Sequence, residues 1–194
     1  MSRYTDLQLD ALRELANIGS GTASTALSSM LGRSVDISVP NAFVLPMAEA
    51  VGTIGDPESE ITGVVLGIVG ELPGSVLLLF TPKDAELMCG LLGVEADTEI
   101  GVSALMEIGN IVGASYINAL GQMIGMELEP TPPAAATDML GAIVETVLAE
   151  RAGSGDVALL LDSNLVVEGE DCSVSFLLVP DQGGVDQMLK RLGV

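Results

Sequence analysis

This chain of 194 residues predicts an α/β fold of the α+β type, with a mostly antiparallel sheet and two long helices. Three observations predict it. The sequence matches itself at an offset of 93 residues, so one order of elements is read twice. A helix-period apolar stripe opens each half, and β-rich runs with a final short helix close it. Short turn-forming stretches join the β-rich runs, which is how hairpins read in sequence.

The self-match is clearest where Leu12, Glu14, Asn17 and Ile18 fall on Leu105, Glu107, Asn110 and Ile111. It continues through Leu27 and Leu120, Met30 and Met123, and Pro40 and Pro133, with Asp10 falling on Ser103. In the first half the stripe Leu12, Leu15, Gly19, Ala23, Leu27 and Met30 has helical period. Residues 61–69 and 75–80 then read as strands around a turn at 70–74, and Pro82 with its following acids starts a helix. In the second half residues 157–167 and 172–179 read as strands around a turn at 168–171, followed by a helix over 185–192. An additional helix at about 138–152, with Asp138 available as its cap, is expected to break the symmetry. The halves, about 7–92 and 100–192, are joined without a Gly/Ser/Pro spacer. Residues 1–194 therefore read as one domain with an internal pseudo-two-fold repeat.

Composition excludes several kinds of chemistry. There are 27 acidic and 7 basic residues, a formal charge of −20, no His and no Trp, yet 48% of residues are hydrophobic. Without His there is no Ser-His-Asp triad and no His-ligated metal. Cys89 and Cys172 alone make neither a zinc cluster nor a disulfide framework, and read as ordinary thiols. So acidic a chain is unsuited to nucleic acid or to anionic membrane surfaces, both of which need clustered Lys and Arg. Lys occurs only at positions 83 and 190, while acids are spread along the whole chain. That pattern predicts an acidic coat suited to a high-salt cytoplasm, where at ~1 M salt the Debye length is about 3 Å and self-repulsion is screened. The apolar stretch 100–126 is interrupted by Glu107, Asn110, Asn118 and Gln122 and has no basic flank, so a buried helix is expected rather than a membrane span. The first six residues have no charged-then-apolar leader, which fits a cytoplasmic protein.

Asp10, Glu14, Asn17 and Gly21 form one polar stripe along the first helix; Ser103, Glu107, Asn110 and Ala114 form its equivalent. A single Glu and Asn three residues apart is ordinary solvated surface. Here the pair recurs with the same 22-residue gap to a Pro, and a charge kept in so apolar a second helix must face solvent or a partner. Other candidates are weaker. Residues 19–22, Gly-Ser-Gly-Thr, lie inside a helix pattern and lack the Lys of a phosphate loop. Asp56, Glu58 and Glu60 read as a solvated turn around Pro57, and the nine Met as core filler.

The constellation of Asp10 or Ser103 with Glu14/Glu107, Asn17/Asn110 and Pro40/Pro133 resembles the signature of the CheC/CheX/FliY family of chemotaxis phosphatases. The resemblance covers nearly the whole chain, and two intact copies resemble its CheC members. It implies the aspartyl phosphate of the response regulator CheY as substrate and the receptor deamidase CheD as a regulatory partner. In such a reaction the receiver domain brings its own Mg²⁺ and Lys, so no cofactor of this chain's own is expected. What remains to supply is an oriented water in line with the leaving carboxylate. A carboxamide can accept from the water through its oxygen and donate to a phosphoryl oxygen through its NH₂, which makes Asn17 and Asn110 the candidates. Hundredfold acceleration requires only about 2.7 kcal/mol. Glu14 and Glu107 would pair with a basic group of the receiver. Asp10 and Ser103 are supporting candidates or helix-start residues, and Pro40 and Pro133 punctuate the strand after each long helix. The rivals are a non-catalytic adaptor that holds phosphorylated CheY or sequesters CheD, and a structural flagellar-switch component.

Overall fold

Each long helix begins at a threonine. In the computed structural model, which describes residues 4–149, 157–168 and 170–194, the Thr5 hydroxyl accepts the Gln8 N–H while the Gln8 side chain accepts the Thr5 N–H. This capping box opens α1 (Asp6–Leu31), and Gly32 in the left-handed conformation closes it. Thr98 likewise caps α4 (Glu99–Ile124), which ends at left-handed Gly125. Asp10 and Ser103 are therefore not helix-start residues; both lie a turn inside, because the threonine hydroxyls satisfy the first free N–H groups.

After α1 come β1 (Val35–Pro46), α2 (Met47–Ile54), β2 (Glu60–Gly70), β3 (Gly74–Phe80) and α3 (Pro82–Leu91). After α4 come β4 (Leu128–Pro130), β5 (Ala134–Met139), α5 (Leu140–Ala149), β6 (Val157–Val167), β7 (Glu170–Pro180) and α6 (Gly184–Leu192). The order helix, strand, helix, strand, strand, helix thus occurs twice, with β4 and β5 together standing opposite β1. All strands pair antiparallel in one sheet ordered β1-β6-β7-β3-β2-β4, with β5 also on β2. Exchanging each strand for its counterpart reverses that order, so the pseudo-two-fold lies between β3 and β7, where Leu77 faces Leu177. Neither half has a sheet of its own.

The symmetry is more complete than the sequence reading. The helix near 138–152 is α5, but it begins at Leu140. Asp138 belongs to β5, opposite Ile61, and its carboxylate accepts the Met139 N–H at 2.7 Å instead of capping. Residues 150–152 lie outside the described residues. Nor is α5 additional, since α2 stands in the same place in the first half. Eight residues interrupted by Gly52 are too few to display a helical period.

The reason for α2 and α5 is the sheet's second face. Every residue of β3 is buried, the signature of a strand covered on both sides. Val64, Leu66, Val76, Leu78, Phe80, Leu161, Phe176 and Leu178 join the core beneath α1, α3, α4 and α6. Their neighbours Leu77, Leu79, Leu160, Leu177 and Val179 pack with Ala50 of α2 and with Leu140, Ile143, Val144 and Val147 of α5. Although α4 is long and apolar enough to cross a membrane, half of its most apolar window is buried in this protein core. The prolines punctuate as expected: Pro40 falls where the β1–β6 register shifts, and Pro133 in the break between β4 and β5. The edge strand β1 is tied to α1 by Ser28 and Ser24, whose hydroxyls accept the Val35 and Ile37 N–H groups at 2.9 Å each.

Candidate functional site

Burial assigns the faces of the two long helices. On α1, Leu12, Leu15, Ala16, Gly19, Ser20, Ala23 and Leu27 are buried, which leaves Asp10, Glu14, Asn17 and Gly21 exposed on the far side. On α4, Leu105, Ile108, Gly109, Val112 and Gly113 are buried, while Ser103 and Glu107 are exposed and Asn110 is half-buried. Both predicted stripes therefore exist as surfaces. Among the described residues no hydrogen bond or ion pair engages the side chains of Glu14, Asn17, Glu107 or Asn110.

The supporting pair differs between copies. Asp10 forms an ion pair with Arg13, one turn on and away from Glu14. The Ser103 hydroxyl donates to the Glu99 carbonyl at 2.9 Å, a local bond along its own helix. Among the described residues, neither side chain bonds to the Glu–Asn pair of its helix.

What fixes the polar faces is glycine on the buried ones. An ideal Cβ at Gly19 would lie 2.6 Å from Tyr116 Cδ1 and 3.1 Å from Tyr116 Cα, so α1 and α4 approach closely at Gly19. A Cβ at Gly109, the residue before Asn110, would lie 2.6 Å from Val64 Cγ1; one at Gly113 would meet Leu66 at 3.0 Å. These contacts seat α4 on β2 through bare backbone and hold Asn110 at a set height above the sheet. A Cβ at Gly21, on the exposed face, would meet nothing within 4 Å. Tyr116 fills the joint below, its ring centroid 4.3 Å from that of Phe176. Burial pushes the Tyr116 hydroxyl up to about 12, with Ser163 and Ser20 opposing. Ser20 in turn donates to the Asn17 carbonyl at 2.8 Å.

Asp56 and Glu58 lie in an exposed turn, where the Asp56 carboxylate accepts the Glu58 N–H, and exposed Glu60 is the first residue of β2 instead. Cys89 and Cys172 are free and buried, with thiols raised by burial, that of Cys172 to about 12 with Asp84 beside it. An open cleft of about 500 Å³ between β2, β5, α3 and the α3–α4 connection is lined by Glu60, Glu86, Glu95 and Asp97 with apolar neighbours, and contains no motif residue. The candidate site is thus an exposed helical surface and not a cleft. Sequence reasoning missed the glycine seats, although the Gly before Asn110 was visible as a small residue in an apolar helix.

Fold and surface define a duplicated α+β protein with two polar patches exposed on a pair of packed helices. The CheC-like family matches at residues 7–44 and 100–136, the two segments that contain these patches. It is similar to the CheY-P phosphatase CheC of Bacillus subtilis, at 29% identity over 96% of this chain and 94% of that one. It is also similar to the flagellar motor switch phosphatase FliY of the same organism, at 28% identity over 66% of this chain but 35% of the longer relative. The crystal structure of Thermotoga maritima FliY superposes with a TM-score of 0.79 at 20% identity, covering 99% of this chain and 98% of that one, and shares the fold.

Proposed function

We propose that this protein is a cytoplasmic chemotaxis phosphatase that hydrolyses the aspartyl phosphate of CheY at two pseudo-equivalent sites. The observation that carries the reading is the recurrence, in each family-matching segment, of a solvent-facing Glu and Asn one helical turn apart whose side chains have no partner among the described residues. In this reading the Asn17 and Asn110 carboxamides each hold a water in line with the phosphorus–carboxylate bond. The water oxygen attacks phosphorus, the bond to the aspartyl oxygen breaks, and inorganic phosphate leaves. Glu14 and Glu107 engage a basic group of the receiver, and the receiver supplies the Mg²⁺. The name of the Bacillus relative supports the substrate. CheD is the proposed regulatory partner.

The test is phosphate release from phosphorylated CheY at high salt. It should fall to the spontaneous rate in the Asn17→Ala, Asn110→Ala double variant, with each single variant retaining one working site. A wild type that never exceeds the spontaneous rate, even with CheD present, would establish the adaptor reading instead.

A further inference from the structure

The two most exposed large aliphatic side chains recorded on this acidic protein are Leu7, 65% exposed, and Ile100, 67% exposed. They are counterparts at the same 93-residue offset as the motifs. Each is the second residue of its helix, held by the Thr5 or Thr98 cap. Leu7 lies seven residues before Glu14 and Ile100 seven before Glu107, about 10 Å along the axis and within about 20° around it. Ile18, 41% exposed, continues the face beyond Asn17. Each polar patch is therefore bordered by an aliphatic group on the same helix face.

Folding does not require these side chains. The capping hydrogen bonds use Thr and backbone groups, and the hydrophobic contact at the entry to α1 comes from buried Tyr4 and from Leu9, which packs on the core. Stable exposure of a large aliphatic group twice, in register with the same polar pair, points to a partner that covers it.

We propose that Leu7 and Ile100 are the apolar anchors by which each site docks the receiver domain, each fitting an apolar patch beside the phosphorylated aspartate. This rests on the reading of the helical faces as receiver-binding sites. Glu and Asn address the phosphorylation site while the anchor about two turns away sets affinity and orientation. The contact buries apolar area, so its contribution does not decline with salt as that of an exposed ion pair does.

The experiment uses the full chain in single-site backgrounds: Leu7→Gln in Asn110→Ala, and Ile100→Gln in Asn17→Ala. Gln keeps helix propensity and length. Phosphate release is followed with phosphorylated CheY, and affinity is measured by calorimetry with CheY activated by beryllofluoride, in 0.2 M and 2 M KCl. KM and Kd should rise about five- to tenfold with kcat changed less than twofold, equally at both salts. Val69→Gln, on β2 away from the patches, should leave both unchanged. Looser binding without turnover in any form upholds the anchors and removes the catalytic reading. Unchanged Kd and KM with normal turnover overturn the anchors alone, and absence of receiver binding overturns both. An altered oligomeric state by sedimentation, with unchanged receiver affinity, would assign the aliphatic groups to self-association and overturn the proposal.

Discussion

Gly19 and Gly21 are two residues apart on one helix, and the same substitution should act on them with opposite sign. In an exposed helix interior, Gly→Ala gains up to about 1 kcal/mol through helix propensity. At Gly21, with nothing within 4 Å of an added Cβ, that gain is unopposed. At Gly19 the Cβ would lie 2.6, 3.0 and 3.1 Å from Tyr116 Cδ1, Cγ and Cα, against a comfortable carbon separation of ~3.5–4.0 Å. The ring can tilt, but the Cα cannot move unless α4 moves with it. Overpacking of this kind costs about 1–3 kcal/mol, so Gly19→Ala should lose about 1 kcal/mol net. The two variants should then differ by about 2 kcal/mol, or about 4–8 °C in Tm for a chain of this size. Thermal melts with urea titrations measure both, and equal urea slopes would establish that the unfolded states match. A Gly19→Ala variant as stabilised as Gly21→Ala would refute the close approach of α1 and α4 at this point.

Three further outcomes follow from named groups. Asp84 is buried, accepting the Thr81 hydroxyl at 2.6 Å and the Ser173 N–H at 3.2 Å, so Asp84→Ala should cost about 1–3 kcal/mol in chemical denaturation by orphaning the β7 N–H. Tyr116 and Cys172, both raised to about 12 from ordinary values of 10.0 and 9.0, keep their protons in the folded state after an unfolded chain has released them. Their contribution is complete below pH 9 and is lost as pH rises through about 12, so Tm should fall over that interval. In Tyr116→Phe the part of the fall above pH 10 should shrink, and an unchanged slope would dismiss its tyrosine component. Finally, with a charge of −20 spread over the chain, Tm should rise between 0.1 M and 2 M KCl; a melting point indifferent to KCl would count against the high-salt reading of the coat.

Local pattern carried much of the fold. The α1 stripe is legible because its buried residues recur at the helical period, and the Pro82 helix start because proline suits a first turn. The Glu–Asn pairs were legible for a different reason: they occur twice at one spacing, the second time in a helix otherwise largely apolar. The α2 helix was not legible, being short and attached directly to β1. Asp138 had the chemistry of a cap, but pairing with β2 kept its backbone extended. Of the two readings of Asp10 and Ser103, supporting residues or helix starts, the second is excluded because Thr5 and Thr98 hold the cap positions.

By itself the sequence determined which residues could be polar within apolar helices, the repeat that duplicates them, and the absence of His that excludes whole classes of chemistry. Tertiary structure decided that β6 and β7 insert between β1 and β3, so that the halves share one sheet. It also decided that the sheet is covered on both faces, and that bare backbone at Gly19, Gly109 and Gly113 seats the motif helices. The physical reason is range. Side-chain period and capping act over a few residues, whereas strand order and close helix approach are set by surfaces far apart in the chain that become neighbours only when the core closes.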